Sequence, residues 1–306
     1  MNKTLIIKTG ATGDVVRTTP LLRVIEGEIH WLTQQYNKSI LPIDCRQLTK
    51  IYSVENDLEE VKKQSYTNII SLEENKNLSS FVSNLNCKSR SGIFMNDGKI
   101  QYTPDATLLF DMSLISALGK TKADELKFAN TLSYQDLIFR LAGYVFDGQK
   151  YWINKPAPQK TKNSKKIGIE SRAGDRWQGK IWYGYNRLAA MLEAQGYEIF
   201  FFSQKNSLGE YLEEINTCDY IITGDTLAMH LALAFEIPVI AIFTCTSPAE
   251  IYDYDGILKK IINPNLKNCF YKTTVKPEDS ALIEVEEVME SFLQMAVQYS
   301  TVIKVH

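Results

Sequence analysis

Four short stretches of the sequence carry residue types that do chemistry, and each lies where an apolar run gives way to a polar one. The first, Thr9-Gly10-Ala11-Thr12-Gly13-Asp14, follows Leu5-Ile6-Ile7. A glycine turn lets backbone approach a ligand closely. A carboxylate just beyond it either caps a helix or acts as a general base when a substrate hydroxyl comes within about 3 Å. The second, residues 171–182, gathers Arg172, Arg176 and Lys180 with Trp177 and Trp182. Guanidinium groups grip phosphate oxygens as a fork and an ammonium does so as a point charge; a solvated basic surface is the plain alternative. The third, Thr223-Gly224-Asp225-Thr226-Leu227-Ala228-Met229-His230, sets a strand end against a helix start. Free backbone N–H groups there, with the Thr226 hydroxyl, suit a diphosphate. Asp225 is then a cap or a sugar-hydroxyl acceptor, because a bare carboxylate repels phosphate. His230 falls one helical turn beyond Thr226, either on the same working face or as a core histidine, and the spacing offers it no partners for a metal. The fourth, Phe243-Thr244-Cys245-Thr246-Ser247-Pro248, presents hydroxyls on Thr246 and Ser247. Pro248 after Ser247, with no Gly-x-Ser-x-Gly elbow, speaks against a serine hydrolase.

The elements that must position these stretches alternate. Apolar patterning predicts strands over 4–8, 29–33 and 68–72 and a helix over 78–85, the rhythm of a parallel sheet. After the first glycine turn, Val15, Val16, Leu21, Leu22 and Ile25 fall at roughly helical spacing, with Pro20 either opening a turn or kinking the helix. Residues 105–146 read as mostly helical, one helix opening at Tyr134 after Ser133 as N-cap. Residues 154–166 hold five lysines and two prolines with no acid, a linker signature, or else a basic tract for phosphate or RNA, though without interleaved aromatics. The alternation then restarts, with strands over 167–170, 198–203, 220–223 and 239–243, helices to about 195, over 208–215 and over 226–235, and an amphipathic helix over 284–299. The expected domains are 1–155 and 156–306, two α/β halves with a ligand cleft between them, the last helix packing on one of the sheets, in its own half or back on the first.

The 306 residues carry 34 basic against 36 acidic side chains, 44% hydrophobic and 23% charged, which excludes a disordered chain and gives no bulk preference for nucleic acid. Five cysteines at 45, 87, 218, 245 and 269, widely spaced and without Cys-x-x-Cys, suit reduced thiols in a cytoplasmic setting. The apolar run before Lys8 is too short for a signal peptide, and no stretch nears the roughly 18 apolar residues of a membrane span, which leaves only peripheral membrane contact.

Residues 9–23, from Thr9-Gly10-Ala11-Thr12-Gly13-Asp14 through Pro20 to Arg23, resemble the N-terminal motif of glycosyltransferase family 9, the ADP-heptose:lipopolysaccharide heptosyltransferases. Ala173-Gly174-Asp175-Arg176-Trp177 with Lys180 and Trp182, Gly224-Asp225-Thr226 with Met229-His230, and Ile242-Phe243 through Thr246-Ser247-Pro248 resemble the same family in the second half. The resemblance implies a GT-B fold, two Rossmann-like domains with parallel sheets facing across a cleft. The nucleotide donor belongs in the C-terminal domain and the acceptor mainly in the N-terminal one. It implies a metal-independent, inverting transfer, with no cofactor, from a nucleotide-sugar donor, ADP-heptose, to a glycan, lipopolysaccharide or protein acceptor. Asp14 takes the place of the base and Lys180 that of the phosphate-binding lysine. Arg176, Asp225, Thr226, His230, Thr246 and Ser247 are expected at the donor, and Gly13, Arg17 and Thr18 at the acceptor. Three positions depart from the pattern: Leu227 replaces the glycine of Asp-Thr-Gly-x-x-His, and Thr244-Cys245 replaces Gly-Pro in Phe-Gly-Pro-Thr. The rival readings are a transferase using a GDP- or UDP-sugar and a non-catalytic sugar-nucleotide or glycan-binding module.

Overall fold

The computed structural model describes residues 2–157 and 165–303, with side chains described through residue 299. The chain divides into two compact units, Met1–Asn154 and Lys155–His306. Residues 158–164, the middle of the Lys/Pro tract, lie outside the described residues.

The first unit is built on six strands, β1 (Lys3–Ile7), β2 (Glu28–Thr33), β3 (Leu48–Ser53), β4 (Ser65–Ser71), β5 (Asn86–Asn96) and β6 (Lys99–Tyr102), in the order β3-β2-β1-β4-β5-β6. All neighbours are parallel except β5 and β6. Leu5, Ile6 and Ile7 are all fully buried, so both faces of β1 are covered, as a central parallel strand requires. Strand order reverses between β1 and β4, whose chain continuations run to opposite sides of the sheet. In such folds that switch point, at the carboxyl ends of the strands, is where ligands bind.

The second unit holds β7 (Lys166–Glu170), β8 (Glu198–Phe201), β9 (Tyr220–Gly224), β10 (Val239–Phe243) and β11 (Leu258–Ile262), all parallel, in the order β11-β10-β9-β7-β8. Its switch point lies between β7 and β9. The terminal helix Val285–Ile303 sends Val288, Phe292 and Met295 into a core with Ile167, Leu188 and Ile240, so its apolar face is taken up within its own unit.

Several boundaries differ from the sequence expectation for physical reasons. The helix after β1 stops at Thr18, and Pro20 falls in the first turn of a separate 3-10 segment, Thr19–Arg23, where its missing N–H costs nothing. Between 105 and 146 the helices are short, Thr107–Phe110, Lys120–Ala129 and Tyr134–Leu141, and Ser133 and Asp136 form a reciprocal capping box on the last. Strands β3, β5, β6 and β11 carry too many polar residues to read as strands. The five cysteines are free thiols. Among the described residues no helix is long and apolar enough to cross a membrane.

Candidate active site

At the first switch point the loop leaving β1 is braced from both sides. Glu73, just past β4, accepts the backbone N–H of Thr9 at 3.0 Å and of Gly10 at 2.9 Å through one oxygen. From the other side Asn37 donates to the carbonyls of Thr9 and Gly10 and accepts from the Thr12 hydroxyl. The helix Thr12–Thr18 then opens with Ala11 as N-cap and no side-chain capping bond. Asp14 sits inside the first turn rather than at the cap, which removes the capping reading. Its side chain is 34% exposed; Arg17 reaches it at 2.9 Å, and Lys8 approaches to 4.0 Å from the sheet.

Of the residues expected at the acceptor, Arg17 is committed to Asp14 and lies over the Tyr134 ring at 3.9 Å. Thr18 is fully buried, its hydroxyl donating to the Asp14 carbonyl and meeting the Tyr134 hydroxyl. Thr18 thus secures the helix from inside. Gly13 is a residue of the helix itself.

At the second switch point, Lys180 ends a 3-10 segment, Asp175–Lys180, that leaves β7, and its ammonium donates to Asp225 twice, to the carboxylate at 2.8 Å and the carbonyl at 2.9 Å. The approach depends on two glycines. A Cβ on Gly179 would stand 2.5 Å from the Lys272 carbonyl, and one on Gly224 would stand 3.1 Å from the Lys180 carbonyl. Gly179 is clasped by Thr273, which accepts its N–H, and by Thr244, whose hydroxyl donates to its carbonyl at 2.7 Å. Thr244 therefore has a structural task at the position where the family pattern has glycine. Next to it, burial pushes the Cys245 thiol up to about 11.

Helix Leu227–Phe235 starts beside this lysine with Thr226 as N-cap. The Thr226 hydroxyl meets that of Thr223 at 2.8 Å and makes no capping bond, which leaves the first helical N–H groups uncapped by a side chain. His230 is buried along this helix. On the β10 side Thr246 and Ser247 are buried, and the Thr246 hydroxyl finds no hydrogen-bond partner among the described residues. Arg176 remains exposed beside Trp177; the Trp177 ring has Lys180 at 5.6 Å and an edge-to-face contact with Tyr271, a residue at φ 49. Ammonium, uncapped helix start and hydroxyls at one strand edge suit the oxygens of a diphosphate. No group of three or more His, Cys, Asp or Glu suited to a metal ion occurs among the described residues.

Arg172 does not join the other cations. It forks onto Glu170 at 2.8 and 2.7 Å, and Tyr211 donates to the same carboxylate at 2.9 Å. Glu170 at the end of β7 thus fixes the root of the loop that carries Lys180, a role that sequence spacing hides because Tyr211 lies 41 residues away. Glu170→Gln is expected to lower unfolding stability by about 2 kcal/mol, measurable in urea, because a buried charged hydrogen-bond knot is broken.

Residues 204–279, which include Asp225, Thr226, His230, Thr246 and Ser247, match the model of glycosyltransferase family 9 (heptosyltransferase). No curated protein matches the chain in sequence. In fold the chain is similar to a family 9 glycosyl transferase from Veillonella parvula, with TM-score 0.70, 15% identity and 97% of each chain covered. It is similar to E. coli heptosyltransferase WaaC with ADP, with TM-score 0.64, 13% identity and coverage of 96% of this chain and 99% of that one. It is also similar to the dodecameric iron-containing glycosyltransferase TibC of enterotoxigenic E. coli, with TM-score 0.60, 13% identity and coverage of 97% and 77%. With two Rossmann-like units of the GT-B kind throughout, the chain has the fold of these glycosyltransferases, and residues 204–279 of its second unit are similar to glycosyltransferase family 9.

Proposed function

We propose that this chain moves a heptose from ADP-heptose to a hydroxyl of a glycan, lipopolysaccharide-type or protein acceptor, with inversion and through residues of the chain alone. The observation that carries the reading is the Lys180 ammonium held at the uncapped start of helix Leu227–Phe235, a ready grip for a departing diphosphate. Solved relatives support the choice of donor: heptosyltransferase WaaC has been seen with ADP and with ADP-2-deoxy-2-fluoro heptose.

In this reading one bond forms as another breaks. The acceptor oxygen attacks the anomeric carbon from the face opposite the diphosphate, Asp14 takes the proton of that hydroxyl, and ADP leaves with the bonding electron pair. Lys180, the Thr226 hydroxyl and the first amides of the helix stabilise the charge that grows on the diphosphate, with Arg176 adding a cation at the rim. Thr246, with its unengaged hydroxyl, and Ser247 supply donors from the adjacent loop, His230 backs the helix start, and Gly13 and Arg17 line the acceptor's side of Asp14.

The test is mass-resolved product detection with ADP-, GDP- and UDP-sugars against a panel of cell-wall glycans and proteins. ADP-heptose should give ADP and a heptosylated acceptor only when both substrates are present. Nucleotide release without any acceptor would make the chain a hydrolase. Binding without turnover across the panel would make it a binding module, and preference for GDP- or UDP-sugars would overturn the donor.

A further inference from the structure

The charges around Asp14 exceed what a helix start needs. Lys8 lies just past β1 with a side chain only 12% exposed, and its ammonium donates to the Leu72 carbonyl at 3.3 Å. A Cβ on Gly10 would stand 3.6 Å from a Glu73 oxygen, 3.7 Å from Asp14 Oδ2 and 3.9 Å from Lys8 Nζ, so three charged groups converge on the space this glycine leaves open. Arg17 occupies the other oxygen, Asp14 Oδ1, with its guanidinium laid on Tyr134. The two oxygens of Asp14 thus meet different cations, one from its own helix and one from the end of β1.

A buried ammonium is costly unless counter-charges offset it. Burial lowers the pKa of Lys8, but the facing Asp14, Tyr134 and Glu73 outweigh it and leave the amine above its ordinary value. It is a permanent positive charge at neutral pH. We propose that Lys8 is a positioning residue for Asp14, keeping its carboxylate ionised and aimed from the buried side while Arg17 secures the other oxygen.

This rests on the transfer reading, in which Asp14 is the base. Charged groups near Asp14 include Lys8 after β1, Arg17 on its own helix and Glu73 after β4, while the Tyr134 hydroxyl from helix Tyr134–Leu141 meets that of Thr18. Glu73 opposes Lys8, but one of its oxygens is engaged by the amides of Thr9 and Gly10. Glu74 lies within the field of Lys8, and burial pushes its carboxyl up.

Steady-state kinetics against pH tests the proposal on Lys8→Met and Lys8→Gln, the second retaining a hydrogen bond donor for Leu72 if the first fails to fold. Removing the cation raises the proton affinity of Asp14, so the acid limb of the kcat profile should move up by about one unit, a loss of about tenfold on the acid side. Nucleotide affinity should stay unchanged, since the diphosphate grip belongs to the other unit, and Lys8→Arg should return the limb towards its original place. An unmoved acid limb in a folded Lys8→Gln protein overturns the assignment. The two levels separate through Asp14→Asn: full turnover in that variant sinks the transfer reading itself, whereas an inactive Asp14→Asn beside an unmoved limb sinks only the role of Lys8.

Discussion

Asp14→Asn is expected to cut turnover by about 10²–10⁴ while nucleotide affinity stays near that of the unsubstituted chain. The amide keeps the size of the carboxylate and an oxygen for Arg17, so the local packing survives, but it cannot take a proton. Asp14 is not the capping residue of its helix, so the loss of fold stability is confined to the ion pairs and to the favourable first-turn charge, worth about 1 kcal/mol. That separation makes the variant decisive: a large loss of rate without a matching loss of stability or of ADP binding identifies a proton acceptor. Unchanged turnover would show that Asp14 is only a structural carboxylate between Lys8 and Arg17.

The parts of this site that were legible in the sequence are those whose chemistry is local. Gly10 to Asp14 and Asp225-Thr226 follow apolar strands directly, and a residue just beyond a buried parallel strand has few places to go except the ligand-binding edge; Lys180 lies further on, in the loop that leaves β7. What was hidden is the bracing. Glu73 reaches the Gly10 amide across 63 residues and Tyr211 reaches Glu170 across 41, distances at which no periodicity connects two positions. The one available signal for Glu73 was its place just past β4, next to β1 in the sheet, and it required the strand order to be known. The missed strands have the same origin. β5 runs as Asn-Cys-Lys-Ser-Arg-Ser-Gly before its apolar residues, because it lies towards the rim of the sheet, where exposure removes the apolar pattern a central strand must show. The bond of Thr18 was hidden too: its hydroxyl, beside a carboxylate with chemistry of its own, is turned by helical geometry to the Asp14 carbonyl one turn back.

Lys180→Ala should do more than remove one cation. In the folded chain Lys180 and Asp225 are 19% and 17% exposed and joined at 2.8 Å, so truncating the lysine leaves a largely buried carboxylate at the place proposed for the diphosphate. Attraction is replaced by repulsion. Nucleotide binding should weaken, and turnover should fall by about 10²–10³ because the charge developing on the leaving diphosphate loses its nearest preorganised partner. The same geometry predicts a recovery. Adding Asp225→Asn to Lys180→Ala removes the carboxylate's negative charge, and nucleotide affinity should rise again by about tenfold relative to the single variant, a non-additivity expected of side chains in contact. Calorimetric titration of ADP into the four proteins of this cycle, with steady-state rates alongside, measures both terms. A Lys180→Ala protein that binds ADP and turns over like its parent takes Lys180 out of the site. A double variant no better than the single one would show that Asp225 contacts the donor in its own right, through a sugar hydroxyl, and that its value there matches the repulsion it causes.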